Sequence, residues 1–417
     1  MSTPLPESSS STRVLVAATA GFTVFFAVWV MFAIVGVPLR GELGLSDSQF
    51  ALLVAIPILT GSILRIPFGI LTDRLGGRRL FTALLVVTAV PTYLTSRASS
   101  YNQLLVLAAF IGLAGVSFAV GIAWVSAWYP QRRQGFALGM FGAGNVGASI
   151  TKLLAPTLVT IGVAGGIAGK VIPGGWRFVP FAYAILLLAT AVMTWTVAPA
   201  HDHRPAQGRT FHEVNRPLRD LRVWRFGLYY IVVFGAYVGL ALWLPKYYVD
   251  VYGVDLRTAG FLTALFIFPA SLLRPLGGYL SDRLGARAVT YTAFIVMCFA
   301  LGRLSFRLGI VQFTALIVVV GMMMGLGKAS VYKYIADYYP KDVGAAGGVV
   351  GAVGGLGGFA LPLLFAWAHQ ESGRPESTFL VLLASALFSL ICLHVVVVKM
   401  LRDQRRRVDI IDTRGAI

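Results

Sequence analysis

The stretch 62–79, SILRIPFGILTDRLGGRR, sets an arginine inside an apolar run and then closes the run with charge. A second stretch repeats it. Laid over 64–78, LRIPFGILTDRLGGR, the segment 273–287, LRPLGGYLSDRLGAR, pairs Arg65 with Arg274, Asp73 with Asp282, Arg74 with Arg283 and Arg78 with Arg287 at one constant offset. The same offset carries Phe25 onto Phe234, Gly139 onto Gly348 and Gly142 onto Gly351, while Pro130 and Pro340 miss by one residue. Such a chain is built from two copies of one unit in the same orientation, with a substrate site expected between them near mid-membrane.

Composition puts both copies in a bilayer. With 57% hydrophobic and 12% charged residues over 417 positions, and a mean hydropathy of +0.77, there is too little polar surface to cover a soluble globule. Apolar runs long enough to span hydrocarbon as helices are read at 14–37, 50–72, 80–97, 102–127, 134–162, 178–198, 224–248, 257–280, 287–307, 311–337, 343–368 and 377–400. The net charge of +18 collects in alternate loops: DRLGGRR, YPQRRQG, the long HDHRPAQGRTFHEVNRPLRDLR, DRLGAR and the tail RDQRRR. All of these fall on one side of a twelve-span chain, which puts both termini in the cytoplasm. The charge is therefore a topology signal and not a nucleic-acid surface.

The remaining polar features are bland. MSTPLPESSSSTR reads as a polar tail with no cleavable leader, since the first apolar run is long enough to span. Cys298 and Cys392 lie in different spans and read as packing residues. His201 and His203 read as solvated linker, because a metal needs more ligands. No metal or cofactor is expected.

Arg65 and Arg274 are anomalous. Each precedes its aspartate by eight residues, so each starts about 12 Å in from the helix end, where an arginine costs roughly 2.5–3.5 kcal/mol even on the lenient insertion scale. The ordinary compensation is a buried carboxylate. All 17 acidic residues fall in tails, loops or helix ends, so none is available. Either backbone carbonyls satisfy the guanidiniums, or the missing negative charge arrives as a substrate. The planar fork suits an oxyanion, which it holds by two parallel hydrogen bonds. Asn145 is a second costly group mid-span, to be satisfied by a neighbouring helix or by the same anion.

Lys328, in GLGKASVYKYIADYYP (325–340), lies about 18 Å from its helix end and is the repeat counterpart of Phe118. Lysine, unlike arginine, can lose its proton when desolvated among other cations. It is therefore either a proton-coupling group or a third fixed counter-charge. Lys333 is expected to snorkel or to pair with Asp337, and Lys152 to snorkel outward.

The paired GILTDRLGGRR and GYLSDRLGAR resemble the G-x-x-x-D-R-x-G-R-R loop motif of the major facilitator superfamily. GMFGAGNVGASITKLLAP (139–156) and GGVVGAVGGLGGFALP (347–362) resemble the two glycine-rich nitrate signatures of the nitrate/nitrite porter family. The resemblance implies an all-α integral membrane protein of twelve transmembrane helices in two pseudo-symmetric six-helix bundles. Its parts are a tail (1–13), a first bundle (14–198), a central cytoplasmic loop (199–223), a second bundle (224–400) and a tail (401–417). It implies that Arg65 and Arg274 clamp the anion, with Asn145 as a donor and with Phe118, Tyr230 and Phe234 as flat walls admitting nitrate or nitrite. It implies close-packed gating glycines at Gly142, Gly144, Gly147, Gly351, Gly354 and Gly355, and a cytoplasmic latch at Asp73, Arg74, Arg78, Asp282, Arg283 and Arg287. The stretch around Lys328 is most similar to the nitrate/proton symporter branch.

The expected function is thus import of nitrate across the inner membrane by proton symport, with more than one proton per anion and the carrier a monomer in lipid. Nitrate/nitrite exchange, carriage of another small anion and a non-transporting membrane sensor are the alternatives. An organic phosphate exchanger predicts basic residues on spans one and seven, which carry aromatics instead. An enzyme is not expected, because nothing assembles a nucleophile with its base.

Overall fold

The computed structural model describes residues 9–161 and 171–414. Residues 1–8 and 415–417 of the expected tails, and position 162 at the end of the expected fifth span, lie outside the described residues. The first helical column is α1 (Ser9–Trp29) continued by α2 (Phe32–Leu43); α3 (Asp47–Leu75) and α4 (Gly77–Thr95) are continuous. The fourth column joins α5 (Tyr101–Ile111) to α6 (Leu113–Trp128), and the fifth runs through α7 (Gln131–Gly142), a 3-10 turn (Ala143–Val146) and α8 (Gly147–Ile161), before α9 (Phe178–Val197). A connecting segment with the short α10 (Phe211–Val214) leads to α11 (Leu221–Tyr230), a π turn (Ile231–Gly235) and α12 (Ala236–Tyr252). Then come α13 (Leu256–Leu272), α14 (Arg274–Leu284), α15 (Ala286–Leu304), α16 (Ile310–Tyr338), α17 (Val343–Ser372) and α18 (Ser377–Arg414).

Among the described residues twelve columns result, and all but α18 keep within a few residues of the expected spans. Ten of them are long and apolar enough to cross a membrane. The other two are α4, with Arg78 and Arg79 in its first turn, and the glycine-interrupted α7–α8 column. The tails differ from expectation: α1 begins at Ser9, and α18 runs on to Arg414, because arginine and glutamine propagate a helix well once it is started.

Local chemistry sets the boundaries. Ser46 and Gln49 form a reciprocal capping box at the start of α3, and Asp255 accepts from Arg257 N and Thr258 N at the start of α13. The repeated loop motif turns on Gly76 and Gly285, at φ 87° and 85°, where a side chain would be strained. The breaks inside columns cluster at mid-depth: Gly112, the 3-10 turn, the π turn and Leu273. At the last, Pro275 follows and has no N–H to continue the ladder.

The two halves meet along two seams, α3 against α17 and α7 against α14. Glycine lines both on the side carrying the basic loops, hereafter the basic end. A Cβ on Gly69 would land on Gly344 O, and one on Gly278 would land on Gly135 O, so backbones touch where side chains would hold them apart.

Candidate functional site

At the basic end of the first seam Asp73 accepts from Gly344 N (3.3 Å) and Ala345 N (3.2 Å), at the start of α17. At the second, Asp282 accepts from Gly135 N (3.0 Å) and Phe136 N (2.8 Å) of α7. Both acids thus bridge the halves, Asp73 at the first turn of α17, which favours negative charge, and Asp282 at the second turn of α7. Lys333 adds a cation at Asp282 only: its Nζ lies 3.0 Å from Asp282 and 3.1 Å from Asp337, and it also donates to Gln131 O. The latch arginines do otherwise. Arg74 donates to Arg209 O (3.0 Å) in the connecting segment, and Arg78 donates to Trp195 O (2.6 Å). Arg283 lies over the Tyr279 ring at 4.6 Å and Arg287 contacts Met400 Sδ, so both stay within the second half.

Midway along the seams sit the arginines, Arg65 at 1% exposure and Arg274 at 0%. Arg65 donates from Nε to Gly115 O (2.9 Å) and from Nη1 to Gly351 O (2.6 Å), reaching from its own half into the other. Arg274 is different: Nε, Nη1 and Nη2 are all buried and none makes a well-aligned hydrogen bond among the described residues, the Tyr230 hydroxyl lying beside the guanidinium. Backbone carbonyls therefore serve Arg65 in part and Arg274 not at all.

Aromatic rings enclose both. The Arg65 Cζ lies 5.3 Å from the Trp29 ring, 5.4 Å from Phe118 and 5.3 Å from Phe234, and the Arg274 Cζ lies 5.3 Å from Phe118. The Phe118 ring is nearly parallel to Phe234 (5°) and to Tyr230 (12°), with centroids 6.1 Å apart in each case. Tyr332 meets Phe118 edge-on at 5.1 Å. Trp29, Phe118 and Phe234 offer the guanidiniums their electron-rich faces without neutralising the charge.

Asn145, fully buried in the 3-10 turn, has neither Oδ1 nor Nδ2 bonded. No bond from a neighbouring helix reaches it among the described residues, so its amide is left open. Gly142, one turn earlier, is where a Cβ would fall on the Arg274 guanidinium; one on Gly351 would meet Tyr332 Oη at 3.0 Å, and one on Gly355 would meet Ser62 Oγ. Gly354 faces the Tyr230 ring, while Gly144 and Gly147 admit Phe22 and Thr23 of α1. The first three leave room at the arginines, and the last three let helices close around them.

Lys328 is fully buried, with its Nζ 3.0 Å from Ala270 O and 3.2 Å from the Tyr237 ring centroid. Tyr237 in turn pairs with Ser271 Oγ at 3.1 Å. Ala270 and Ser271 lie just before Arg274, so the lysine and the bare arginine share one stretch of backbone. Lys152 does not snorkel: it donates from α8 to Ala241 O of α12, in the other half, at 2.8 Å. His203 packs edge-on to Trp128 at 4.4 Å, beside Asp202, which accepts from the indoles of Trp124 and Trp128.

Comparison with known proteins places this architecture. The family model of the Major Facilitator Superfamily matches residues 17–262 and 251–415. The chain is 53% identical to the "Probable nitrate/nitrite antiporter NarK1" of Thermus thermophilus, covering 94% of this chain and 93% of that protein. The chain belongs to the nitrate/nitrite porter family of the Major Facilitator Superfamily. The "Nitrite extrusion protein" of Bacillus subtilis (strain 168) is 32% identical over 88% of this chain and 89% of its own length. The "Probable nitrate transporter NarT" of Staphylococcus carnosus (strain TM300) is 31% identical over 90% and 92%. The crystal structure of the human organic anion transporter MFSD10 superposes with a TM-score of 0.72 at 14% identity, over 93% of this chain and all of that one, and so shares the fold.

For a member of the porter family, the sequence left several site neighbours unread. Trp29, whose Nε1 donates to Pro57 O at 2.8 Å, carries a polar N–H into mid-membrane. Tyr332 and Tyr237 each follow a residue already singled out, Lys328 and Phe234, by about one helical turn. That spacing was the available signal.

Proposed function

We propose that the chain carries nitrate, with nitrite as second substrate, by alternating access around Arg65 and Arg274. The observation that carries this reading is the Arg274 guanidinium, fully buried with three nitrogens that make no well-aligned hydrogen bond among the described residues. A buried cation of that kind demands an anion, and the Phe118 ring, the Tyr230 hydroxyl and Gly142, which lie beside it, carry no negative charge. Arg65 then contributes its remaining N–H groups, Asn145 an amide donor, and Phe118, Tyr230 and Phe234 flat walls that suit a planar or bent ion. The relatives named for nitrate and nitrite support the same substrate class.

In this reading the basic end faces the cytoplasm of a plasma (inner) membrane, with residues 1–13, 199–223 and 401–417 on that side. The bundles 14–198 and 224–400 form one monomeric carrier, and Asp73 and Asp282 latch its cytoplasmic face.

For coupling, proton symport through Lys328 is the reading favoured by the site itself. A carrier holding bare guanidiniums returns empty more readily if a neighbouring cation can shed its proton. Nitrate/nitrite exchange is the second reading, favoured by the printed name of the Thermus thermophilus relative; there an anion neutralises the site in both directions. The test is nitrate uptake into proteoliposomes with pH gradient, membrane potential and internal nitrite varied separately. Uptake driven by an inward proton gradient without internal nitrite supports symport, and an absolute requirement for internal nitrite supports exchange. No flux of either anion overturns the assignment.

A further inference from the structure

Lys152 of α8 ties the first half to Ala241 of α12 in the second by the 2.8 Å bond from its Nζ. The acceptor is open because Pro245 lies four residues on in α12. A proline has no N–H to donate back, so the Ala241 carbonyl loses its helical partner, and the ammonium supplies another. Lys152 is also the one charged side chain on the wall of a cavity of about 30 Å³, which it shares with Trp29, Ile58, Ala148 and Tyr237 among others. Two of those residues belong to the central site: Trp29 lies against Arg65, and Tyr237 against Lys328.

The cavity adjoins the arginines on the side away from the basic end. Lys152 follows Asn145 by seven residues, about 10 Å farther along the column, and Ile58 precedes Arg65 on α3, which runs toward the basic end. Asp73 and Asp282 seal the opposite side. An ammonium on an apolar wall attracts anions strongly, since little else there competes for it. It also differs from the guanidiniums in kind: a point charge with rotatable donors on a flexible stem can exchange one acceptor for another.

We propose that Lys152 is an anion-contacting gate on the face opposite the basic end. Its ammonium holds the Ala241 carbonyl while the halves are closed there, and turns to the incoming small oxyanion when they part, handing it on to Arg65 and Arg274. The inference rests on the nitrate-carrier reading above and adds a stopping point to the path.

The test compares nitrate flux from each face, in right-side-out and inverted membrane vesicles, for wild type, Lys152→Met, Lys152→Arg and Pro245→Ala. Lys152→Met is expected to raise KM for nitrate offered to the face opposite the basic end by about tenfold, with about twofold or less change at the basic-end face. Lys152→Arg restores most of the lost affinity. Pro245→Ala returns an N–H to Ala241 O and mimics part of the loss of closure, with an altered maximal rate at unchanged KM. An equal effect of Lys152→Met on both faces, or none, overturns the gate while leaving the carrier reading intact. Wild-type vesicles that move no nitrate overturn both. Should Lys152→Met fail to reach the membrane folded, Pro245→Ala decides: an altered maximal rate at unchanged KM supports the gate, and wild-type flux from both faces overturns it.

Discussion

Arg65 and Arg274, one from each half, address the same ring: their Cζ atoms lie 5.4 Å and 5.3 Å from the centroid of Phe118. The repeat makes them equivalent in sequence, yet their hydrogen bonding is not. Arg65 is tied to Gly115 O and Gly351 O, whereas Arg274 makes no well-aligned hydrogen bond among the described residues. The symmetry of the chain is therefore broken at this pair, and the two arginines are expected to answer differently to substitution.

Replacing either by methionine keeps much of the stem volume and removes the charge. Arg65→Met gives up two charge-assisted hydrogen bonds, to Gly115 O and Gly351 O, and is expected to lower stability by about 1.5–3 kcal/mol. Arg274→Met relieves an unpaired buried cation and is expected to leave the nitrate-free protein as stable as wild type or more so. Both lose transport, and both lose the nitrate-dependent stabilisation, which for wild type is about 2.7 kcal/mol at a hundredfold excess over Kd. Melting temperatures with and without nitrate check all four outcomes.

Gly142→Ala places a methyl on the Arg274 guanidinium. Transport is expected to fall by about tenfold or more, as for a misplaced binding group. Gly309→Ala, where a Cβ meets nothing within 4 Å, serves as the control and keeps wild-type uptake. Initial rates at matched expression give the comparison.

Lys328→Gln separates coupling from binding. If the lysine carries the proton, the variant retains nitrate exchange and loses accumulation driven by a pH gradient. Accumulation at the wild-type level makes Lys328 a fixed counter-charge instead. Counterflow and gradient-driven uptake, measured on one preparation, distinguish the two.

The seams should differ in strength. Asp282 has Lys333 at 3.0 Å in a buried pair, and Lys333 has Ala123 as its counterpart in the repeat, so no lysine stands at that position beside Asp73. Asp282→Asn removes one of the two carboxylates on Lys333, Asp337 remaining at 3.1 Å, and is expected to cost about 1.5–3 kcal/mol. Asp73→Asn gives up hydrogen bonds to a helix start, worth roughly 0.3–2 kcal/mol. Thermal unfolding of both, with Lys333→Met added to Asp282→Asn to recover part of the loss, measures the asymmetry.

On the face opposite the basic end, Glu42 accepts from Trp176 Nε1 (2.6 Å) and pairs with Arg177 (2.7 Å). Burial pushes its carboxyl up, but the bonds from Trp176 and Arg177 outweigh this and hold it below the ordinary value of 4.5. A depressed carboxyl stabilises the fold fully above that value and loses its contribution as pH falls below it toward the folded-state value. Wild type is therefore expected to lose melting temperature more steeply than Glu42→Gln as pH drops through that range, with the gap closing at the acid end. Equal slopes would refute the clasp.

The depth of Arg65 and Arg274, the want of an acid to match them and the doubling of the chain were all legible from residue order. A bilayer makes every mid-span charge expensive, so a charge that persists there carries meaning without coordinates. Rotation of each helix about its axis was not legible in the same way. Lys152, read as turning outward, turns to α12 of the other half because Pro245, on that helix, leaves a carbonyl open. Lys333 spans from Asp337 to Asp282 because α14 and α16 happen to meet there. Which arginine is satisfied and which is bare was likewise decided only when α3 was set against α6 and α17. Sequence thus determined what is buried and roughly how deep, since hydrocarbon thickness and rise per residue are fixed. The tertiary structure decided who faces whom, because a hydrogen bond acts over about 3 Å and depends on a neighbour that local order does not specify.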